Sequence, residues 1–192
     1  MKPKDLKKIR KTLEKELEPK RFEHTLGVEY TAASLAMRYD VSIEDALVAG
    51  LLHDCAKCIS GEKLIDICEK QHIDINNVER KNPSLLHTKV GEYLAQEIYD
   101  IHDSDILNAI RYHTTGRPGM SILEKIVFIA DYIEPGRKQA PNLEEIRKLA
   151  FTDLDNALIR ILEDTLAYLK DSEDEVDPMT RKTYEYYIQN NQ

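Results

Sequence analysis

The chain has 192 residues, a length that suits a single domain, and its 42% hydrophobic and 32% charged residues are typical of a soluble globular protein. Its formal net charge of −8 gives no counterion-release drive toward duplex DNA or an anionic membrane, so neither nucleic acid nor membrane is expected as a partner. No apolar run approaches the roughly 18 to 20 residues that a membrane-spanning helix needs.

Apolar residues recur every three or four positions along most of the chain, a spacing typical of helices with one buried face. Ser42 with Asp45 and Ser121 with Glu124 resemble capping boxes, and Pro19 suits the opening turn of a helix. No stretch alternates between apolar and polar residues, so no strand is predicted and the expected fold class is all-α. The predicted helices cover residues 6–17, 19–39, 43–55, 62–71, 84–99 after polar turns at 76–77 and 82–83, 104–112, 122–133, a segment from 142, 153–169 and 180–188.

The clearest shift in composition is the segment 171–177, in which five of seven residues are carboxylates. A charge run of this kind predicts a solvated linker. We therefore expect one domain over 1–170, followed within 171–192 by an acidic linker and a C-terminal helix that packs on the same domain. Two roles are open for this tail, a lid over an active site or a terminus that is simply docked.

Six ionisable residues lie beside the most apolar parts of five predicted helices: His24, His53, Asp54, His87, His113 and Asp131. His53 and Asp54 directly follow the apolar run 47–52, and Asp131 follows the run 126–130. A single histidine of this kind is usually a satisfied core residue. A buried carboxylate without a partner costs several kcal/mol, so it must be paired, neutralised or bound to a metal.

Six such positions on five helices are difficult to explain as separate structural accidents, and together they offer six nitrogen and oxygen ligands. A structural zinc site needs only four ligands and usually includes cysteine. Six harder ligands suit a pair of octahedral first-row ions such as iron, manganese or cobalt. The sequence therefore predicts a centre with two divalent metal ions.

The order of these residues resembles the HD-domain phosphohydrolases, which carry a histidine, a His-Asp pair and a distant aspartate on an all-α scaffold. His24, His53-Asp54 and Asp131 match that order, and the additional His87 and His113 match the dinuclear branch. The His-Asp pair alone is a weak motif, but longer segments resemble the bacterial YqeK family and cover nearly the whole chain from residue 21. These segments are RFEHTLGVE (21–29), LLHDCAK (51–57), PSLLHTKVG (83–91), AIRYHTTG (109–116) and KIVFIADYIEPGR (125–137).

The resemblance implies an HD-domain helical bundle that hydrolyses diadenosine tetraphosphate symmetrically to two ADP, with iron at the site. In such a centre, two ions about 3.5 to 4 Å apart hold a bridging hydroxide as the nucleophile. Asp54 is the natural carboxylate to bridge both ions, because it directly follows His53. Lys57, one turn beyond, is expected to donate to the phosphoryl oxygens in the transition state.

Substrate contacts are expected at Arg21, Gly27, Pro83, Tyr132, Arg137 and Arg181. Arg21 precedes His24 by three residues, and Arg137 follows a Pro-Gly helix stop from which it can clamp a phosphate bidentately. Gly27 lies inside a predicted helix, where it either lets a nucleotide approach the backbone or permits close packing. For each basic residue the alternative is an ordinary surface charge.

Two other functions stay open. One is an HD-domain hydrolase of guanosine tetraphosphate or of a nucleoside phosphate, although residues 55–57 (CAK) stand where the first of these is expected to carry an acidic pair. The other is a non-catalytic, metal-containing nucleotide sensor, although a degenerate site would lack ligands. Monomer and homodimer are both compatible with the sequence.

The three cysteines are too few for a closed disulfide framework, which indicates a reducing cytoplasm. Cys55 and Cys58 are separated by two residues, but no second pair and no βαβ pattern accompany them. We therefore expect two buried thiols on the third helix rather than a redox or metal motif.

Overall fold

The computed structural model describes residues 6–171 and 175–190. Within these ranges the secondary structure is helical and contains no β-strand, which confirms the all-α prediction. Along the same ranges, no helix combines the length and apolar character that crossing a bilayer requires. The elements are α1 (Leu6–Glu16), α2 (Pro19–Arg38), α3 (Ile43–Leu52), α4 (Gly61–Lys70), α5 (Asn77–Lys81), the 3₁₀ helix η1 (Pro83–Leu86), α6 (His87–Glu97), α7 (Ser104–Tyr112), α8 (Ile122–Ile133), α9 (Leu143–Leu149), α10 (Leu154–Asp171) and α11 (Pro178–Asn190).

The main core forms where α2, α3, α7 and α8 pack together. α3 and α8 are buried over most of their length, which explains why their sequences are apolar on nearly every side. α2 and α3 approach closely at Gly50, where an added Cβ would lie 3.0 Å from the Cα of Glu29. This close crossing holds the inner face of α2 against the end of α3.

The predicted capping box opens α8. The Ser121 hydroxyl accepts the backbone N–H of Glu124, and the Glu124 carboxylate accepts the backbone N–H of Ser121. Arg117 donates to the same buried carboxylate, which leaves it well satisfied. The helix ends at Ile133, and Asp131 therefore lies in its last turn, beside His24 in the second turn of α2.

The end of α3 differs from the prediction. The helix was expected to reach residue 55, but it ends at Leu52 and residues 53–58 form consecutive turns. The ring of His53 donates to the carbonyl of Gly50, an acceptor that a continuing helix would use for its own backbone. The expectation of two buried thiols on the helix is therefore wrong, since Cys55 is buried in a turn and Cys58 is exposed.

A smaller apolar cluster lies between α4 and α6. Between these two helices in the chain is a short helix, α5, that the sequence analysis missed. The predicted polar turn at 76–77 is the start of α5, where Asn76 and Glu79 form a capping box. Each of these two side chains accepts the backbone N–H of the other residue. The helix predicted over 84–99 is also divided, because η1 precedes α6 and the two meet at His87.

The C-terminal helix α11 is docked rather than free. Thr183 and Tyr187 are buried, and the Tyr187 hydroxyl accepts the backbone N–H of Met120. Asp177 departs from the predicted solvated linker, because it is buried and accepts from Asn76 Nδ2 and from the N–H of Met179. Residues 172–174 of that segment lie outside the described residues, and the domain boundary at 170 stays a prediction.

Candidate metal centre

Three of the site histidines follow the last turn of a helix, and each is held in the same way. The ring Nδ1 donates to the backbone carbonyl three residues earlier, in the last turn of that helix. A carbonyl can only accept, so the ring proton is on Nδ1 and the lone pair is on Nε2. The bonds join His53 to Gly50 (2.7 Å), His87 to Ser84 (2.6 Å) and His113 to Ile110 (2.8 Å).

His24 differs from these three, because it lies within α2. Its Nδ1 is 3.1 Å from Oε1 of Glu134, which follows the end of α8. Its Nε2 is 2.9 Å from Oδ1 of Asp131. The imidazole is thus held between two carboxylates from the same end of α8.

The six predicted ligands converge. The ring centroid of His53 lies 5.5 Å from that of His24 and 5.0 Å from that of His113. The ring centroids of His87 and His113 lie 5.2 Å apart. Asp54 Oδ1 is 3.2 Å from His87 Nε2 and 3.5 Å from His113 Nε2. The donor atoms form two triplets that share His53: His24, His53 and Asp131, and His53, Asp54 and His113.

These donors fit a cation better than they fit one another. Among the described residues, His24 Nε2, His53 Nε2 and Asp54 Oδ1 are buried without a properly oriented hydrogen-bond partner. The Nε2 atoms of His87 and His113 lie 3.3 Å apart, although the carbonyl bonds at Nδ1 leave a lone pair on each. Such a cluster is costly unless something positive satisfies it. Imidazole nitrogens and carboxylate oxygens without thiolate suit divalent first-row ions.

The electrostatics of the cluster favour ionised Asp54 and Asp131 and neutral His87, which are the protonation states that bind a metal ion. Burial opposes ionisation of Asp54, but its electrostatic attraction to the neighbouring imidazoles, that of His53 first, prevails and holds its pKa well below the usual range. The pKa of Asp131 is lowered in spite of burial, chiefly by its contact with His24. Burial lowers the pKa of His87 to about 4, so this imidazole is neutral at physiological pH.

The low pKa of His87 predicts acid sensitivity of the metal-free protein. An unfolded histidine titrates near 6.5, so between that pH and about 4 the unfolded chain binds a proton that the folded chain does not. Stability is expected to fall by about 3 kcal/mol as the pH falls through this window. Urea unfolding across this range should show the decline in the wild type and not in His87→Gln. The raised pKa of His24 has the opposite effect on the free energy of unfolding, but it is common to both proteins. An equal loss of stability in His87→Gln over the same pH range would contradict the prediction.

Comparisons with known proteins agree with this geometry. The family model described as the HD domain matches residues 21–136. The chain belongs to the HD-domain family. A Bacillus subtilis protein named "Bis(5'-nucleosyl)-tetraphosphatase, symmetrical" is 41% identical and aligns over 92% of this chain and 94% of its own. A Staphylococcus aureus protein of the same name is 34% identical, over 95% of this chain and 94% of its own.

A solved structure extends the similarity to the whole HD-domain fold. It is a Clostridium acetobutylicum protein described as a "predicted HD superfamily hydrolase involved in NAD metabolism". The two chains are 43% identical, with a TM-score of 0.93 over 96% of this chain and 97% of that chain. The expectation of an HD-domain helical bundle is confirmed.

Three basic side chains reach the cluster of this HD domain. Arg21 donates to Asp54 Oδ2 at 2.8 Å, and Arg137 donates to Asp131 Oδ1 at 3.0 Å and to its backbone carbonyl at 2.9 Å. Lys57 Nζ lies 3.3 Å from His87 Nε2. The expected one-turn relation of Lys57 to Asp54 is made by a turn of the loop, since α3 has already ended.

The other four residues predicted to contact the substrate either do not contact the cluster or have a structural role that explains them. An added Cβ at Gly27 would lie 2.6 Å from Glu134 Oε2, so close packing accounts for this glycine without a nucleotide. Pro83 begins η1, which leads into His87. The Tyr132 hydroxyl lies 3.1 Å from the carbonyl of Pro141, on the side of α9 and α10. Arg181 is exposed on α11.

Glu134 is the site residue that the sequence analysis missed. It is buried and contacts His24, although it is neither within a predicted helix nor next to an apolar run. Its spacing from Asp131, three residues along the same chain segment, is a signal that could have identified it.

A basic groove of about 570 Å³ lies beside the cluster. His24 is among its lining residues, and its four positive charges, from Lys20, Arg21, Arg137 and Lys138, exceed the two carboxylates of Glu18 and Glu134. The chain as a whole is acidic, so this local concentration of cations is the feature that a polyanionic ligand would meet.

Proposed function

We propose that this HD-domain protein is a symmetrical bis(5'-nucleosyl)-tetraphosphatase, which hydrolyses diadenosine tetraphosphate to two ADP with divalent metal ions at the site. The observation that carries the proposal is the pair of overlapping donor triplets that share His53. The curated relatives that carry this activity in their names align with nearly the whole chain, which supports the choice of substrate. All three cysteines are free, which supports a cytoplasmic location.

The two triplets fit two ions. His24, His53 and Asp131 would hold one ion and His113 the other, with the Asp54 carboxylate available to both, because the single lone pair on His53 Nε2 can bind only one ion. His87 adds a sixth ligand beside Asp54. When bound, first-row ions of this kind act as Lewis acids on a phosphoryl oxygen and activate water. Iron is the proposed metal, from the family resemblance, and manganese or cobalt suits the same donors.

Arg21 and Arg137 have a second role in this proposal. Each now neutralises a carboxylate of the cluster, Asp54 or Asp131. With the two carboxylates neutralised by a cation, both guanidinium groups would be available to bind the phosphate chain. Lys57 is the proposed catalytic residue, because its ammonium group lies at the cluster and can stabilise charge on the attacked phosphoryl group.

The size and charge of the basic groove suit one ADP-sized half of the substrate. One nucleoside diphosphate held there by Lys20 and Lys138 would direct its second phosphorus toward the cluster, because the groove is also lined by His24. Cleavage at this position yields ADP from both halves, and ADP is then expected to bind as a product. Gly27, Pro83, Tyr132 and Arg181 stay predictions as substrate contacts, and monomer and homodimer both stay open.

A panel of nucleotides tests this function. The metal-free protein is loaded anaerobically with Fe²⁺ or in air with Mn²⁺, and is given diadenosine tetraphosphate, guanosine tetraphosphate or nucleoside monophosphates. We expect ADP from the first substrate and no turnover of the others. Faster hydrolysis of guanosine tetraphosphate would favour the alternative HD-domain hydrolase. Nucleotide binding without any hydrolysis would favour the sensor.

A further inference from the structure

We propose that Glu134 is a positioning residue that holds the His24 imidazole so that its Nε2 faces the metal centre. The inference rests on the proposed metal site, but it concerns a residue that is not one of the six proposed ligands. Glu134 is buried, and its Oε1 lies 3.1 Å from His24 Nδ1.

The position of His24 in the fold explains why it needs such a partner. The rings of the other three site histidines donate to a carbonyl in the last turn of a helix, three residues earlier in the chain. His24 lies inside α2, where the nearby carbonyls accept the bonds of the helix itself. An acceptor for its Nδ1 must therefore come from another segment, and the end of α8 supplies it.

The carboxylate of Glu134 is itself held in one orientation. Its Oε2 accepts the backbone N–H of Gly136 at 2.5 Å, while Oε1 faces His24. Two glycines make the space for it, since an added Cβ would lie 2.6 Å from Oε2 at Gly27 and 2.9 Å at Gly136. Gly27 inside α2 and Gly136 after α8 thus leave space for the same carboxylate.

Without Glu134, the contact of His24 with Asp131 would select the wrong ring nitrogen. Asp131 Oδ1 lies 2.9 Å from Nε2, so an imidazole with no acceptor at Nδ1 would place its proton on Nε2 and donate it there. That nitrogen would no longer be a ligand. A carboxylate behind a metal-binding histidine generally fixes its tautomer and orientation in this way.

Glu134→Gln is the sharpest variant, because it keeps the shape and has one acceptor oxygen for two donors. The glutamine can serve His24 or Gly136, but not both. Titration of the full-length protein with Mn²⁺, followed by the electron paramagnetic resonance of the free ion, is expected to show about 10- to 100-fold weaker binding. In the metal-free protein, the Nδ1–H proton of His24 is expected to exchange with water faster than in the wild type.

Glu124→Gln is the matched control. Glu124 is a buried carboxylate at the other end of α8, where it binds Arg117 and not a site histidine. Its loss is expected to lower thermal stability while Mn²⁺ affinity and the exchange of the His24 proton stay at wild-type values. A purely structural role of Glu134 would instead make the two variants alike.

Gly27→Ala gives an independent test, because it displaces the carboxylate without removing it. We expect weaker Mn²⁺ binding although alanine is the better helix former, and little further effect when the same change is made in Glu134→Ala. Wild-type affinity and proton exchange in both Glu134→Gln and Glu134→Ala, in which His24 has no acceptor at all, would overturn the proposal, as would equal effects of Gly27→Ala in both backgrounds. If the wild type itself bound no Mn²⁺, the proposed metal site would fail, and proton exchange alone would decide the role of Glu134.

Discussion

Asp54→Ala is expected to abolish hydrolysis and to lower the metal content of the purified protein. Asp54 is the carboxylate nearest three of the imidazoles, with oxygens 3.2 to 3.5 Å from the Nε2 atoms of His53, His87 and His113. Its loss removes the proposed bridge between the ions. Metal affinity should fall by more than the roughly 10- to 100-fold that the loss of a supporting residue costs.

Elemental analysis and a hydrolysis assay on the same samples measure both effects. Folding is expected to survive, since the Arg21 left without its partner is about one-third exposed and can be hydrated. Asp66→Ala is a suitable control, because Asp66 forms an exposed pair with Lys70 on α4. Hydrolysis by Asp54→Ala at the wild-type rate would show that Asp54 is not a ligand of the metal centre.

Lys57→Ala is expected to separate catalysis from metal binding. Lys57 is a cation and not a ligand, and its Nζ lies 3.3 Å from His87 Nε2 at the edge of the cluster. The variant should therefore keep a wild-type metal content. Loss of one donor that stabilises transition-state charge typically lowers kcat by about 10²- to 10³-fold, and we expect a loss of that size here.

The measurement is kcat at saturating diadenosine tetraphosphate, with the metal content determined in parallel. Lys70→Ala controls for the general loss of a lysine, since Lys70 is exposed and pairs with Asp66. Normal turnover in Lys57→Ala would refute the assigned role, and loss of metal would show that Lys57 acts on the ligands instead.

Helix positions and the six ligands could be predicted because both depend on local sequence. The spacing of apolar residues defines α2, α3 and α8. A charged residue directly after a buried run, such as Asp54 or Asp131, is costly unless a partner exists, and that cost is visible without a structure.

The features that were missed depend on contacts between distant segments. Nothing local to Glu134 shows that it will face His24, more than a hundred residues earlier. The end of α3 at Leu52 depends on a ring-to-carbonyl bond of His53, and the burial of Asp177 depends on Asn76. The direction of Tyr132, away from the cluster, is likewise set by the packing of α9 and α10.

The most direct test of the central claim is hydrolysis of diadenosine tetraphosphate by the metal-loaded protein in ¹⁸O-labelled water, with mass spectrometry of the products. A centre that attacks the second phosphorus from a bound adenosine predicts ADP as the sole nucleotide product, with one ¹⁸O atom in one of the two ADP molecules. Equal amounts of ATP and AMP would contradict symmetrical cleavage even if the metal ligands were assigned correctly.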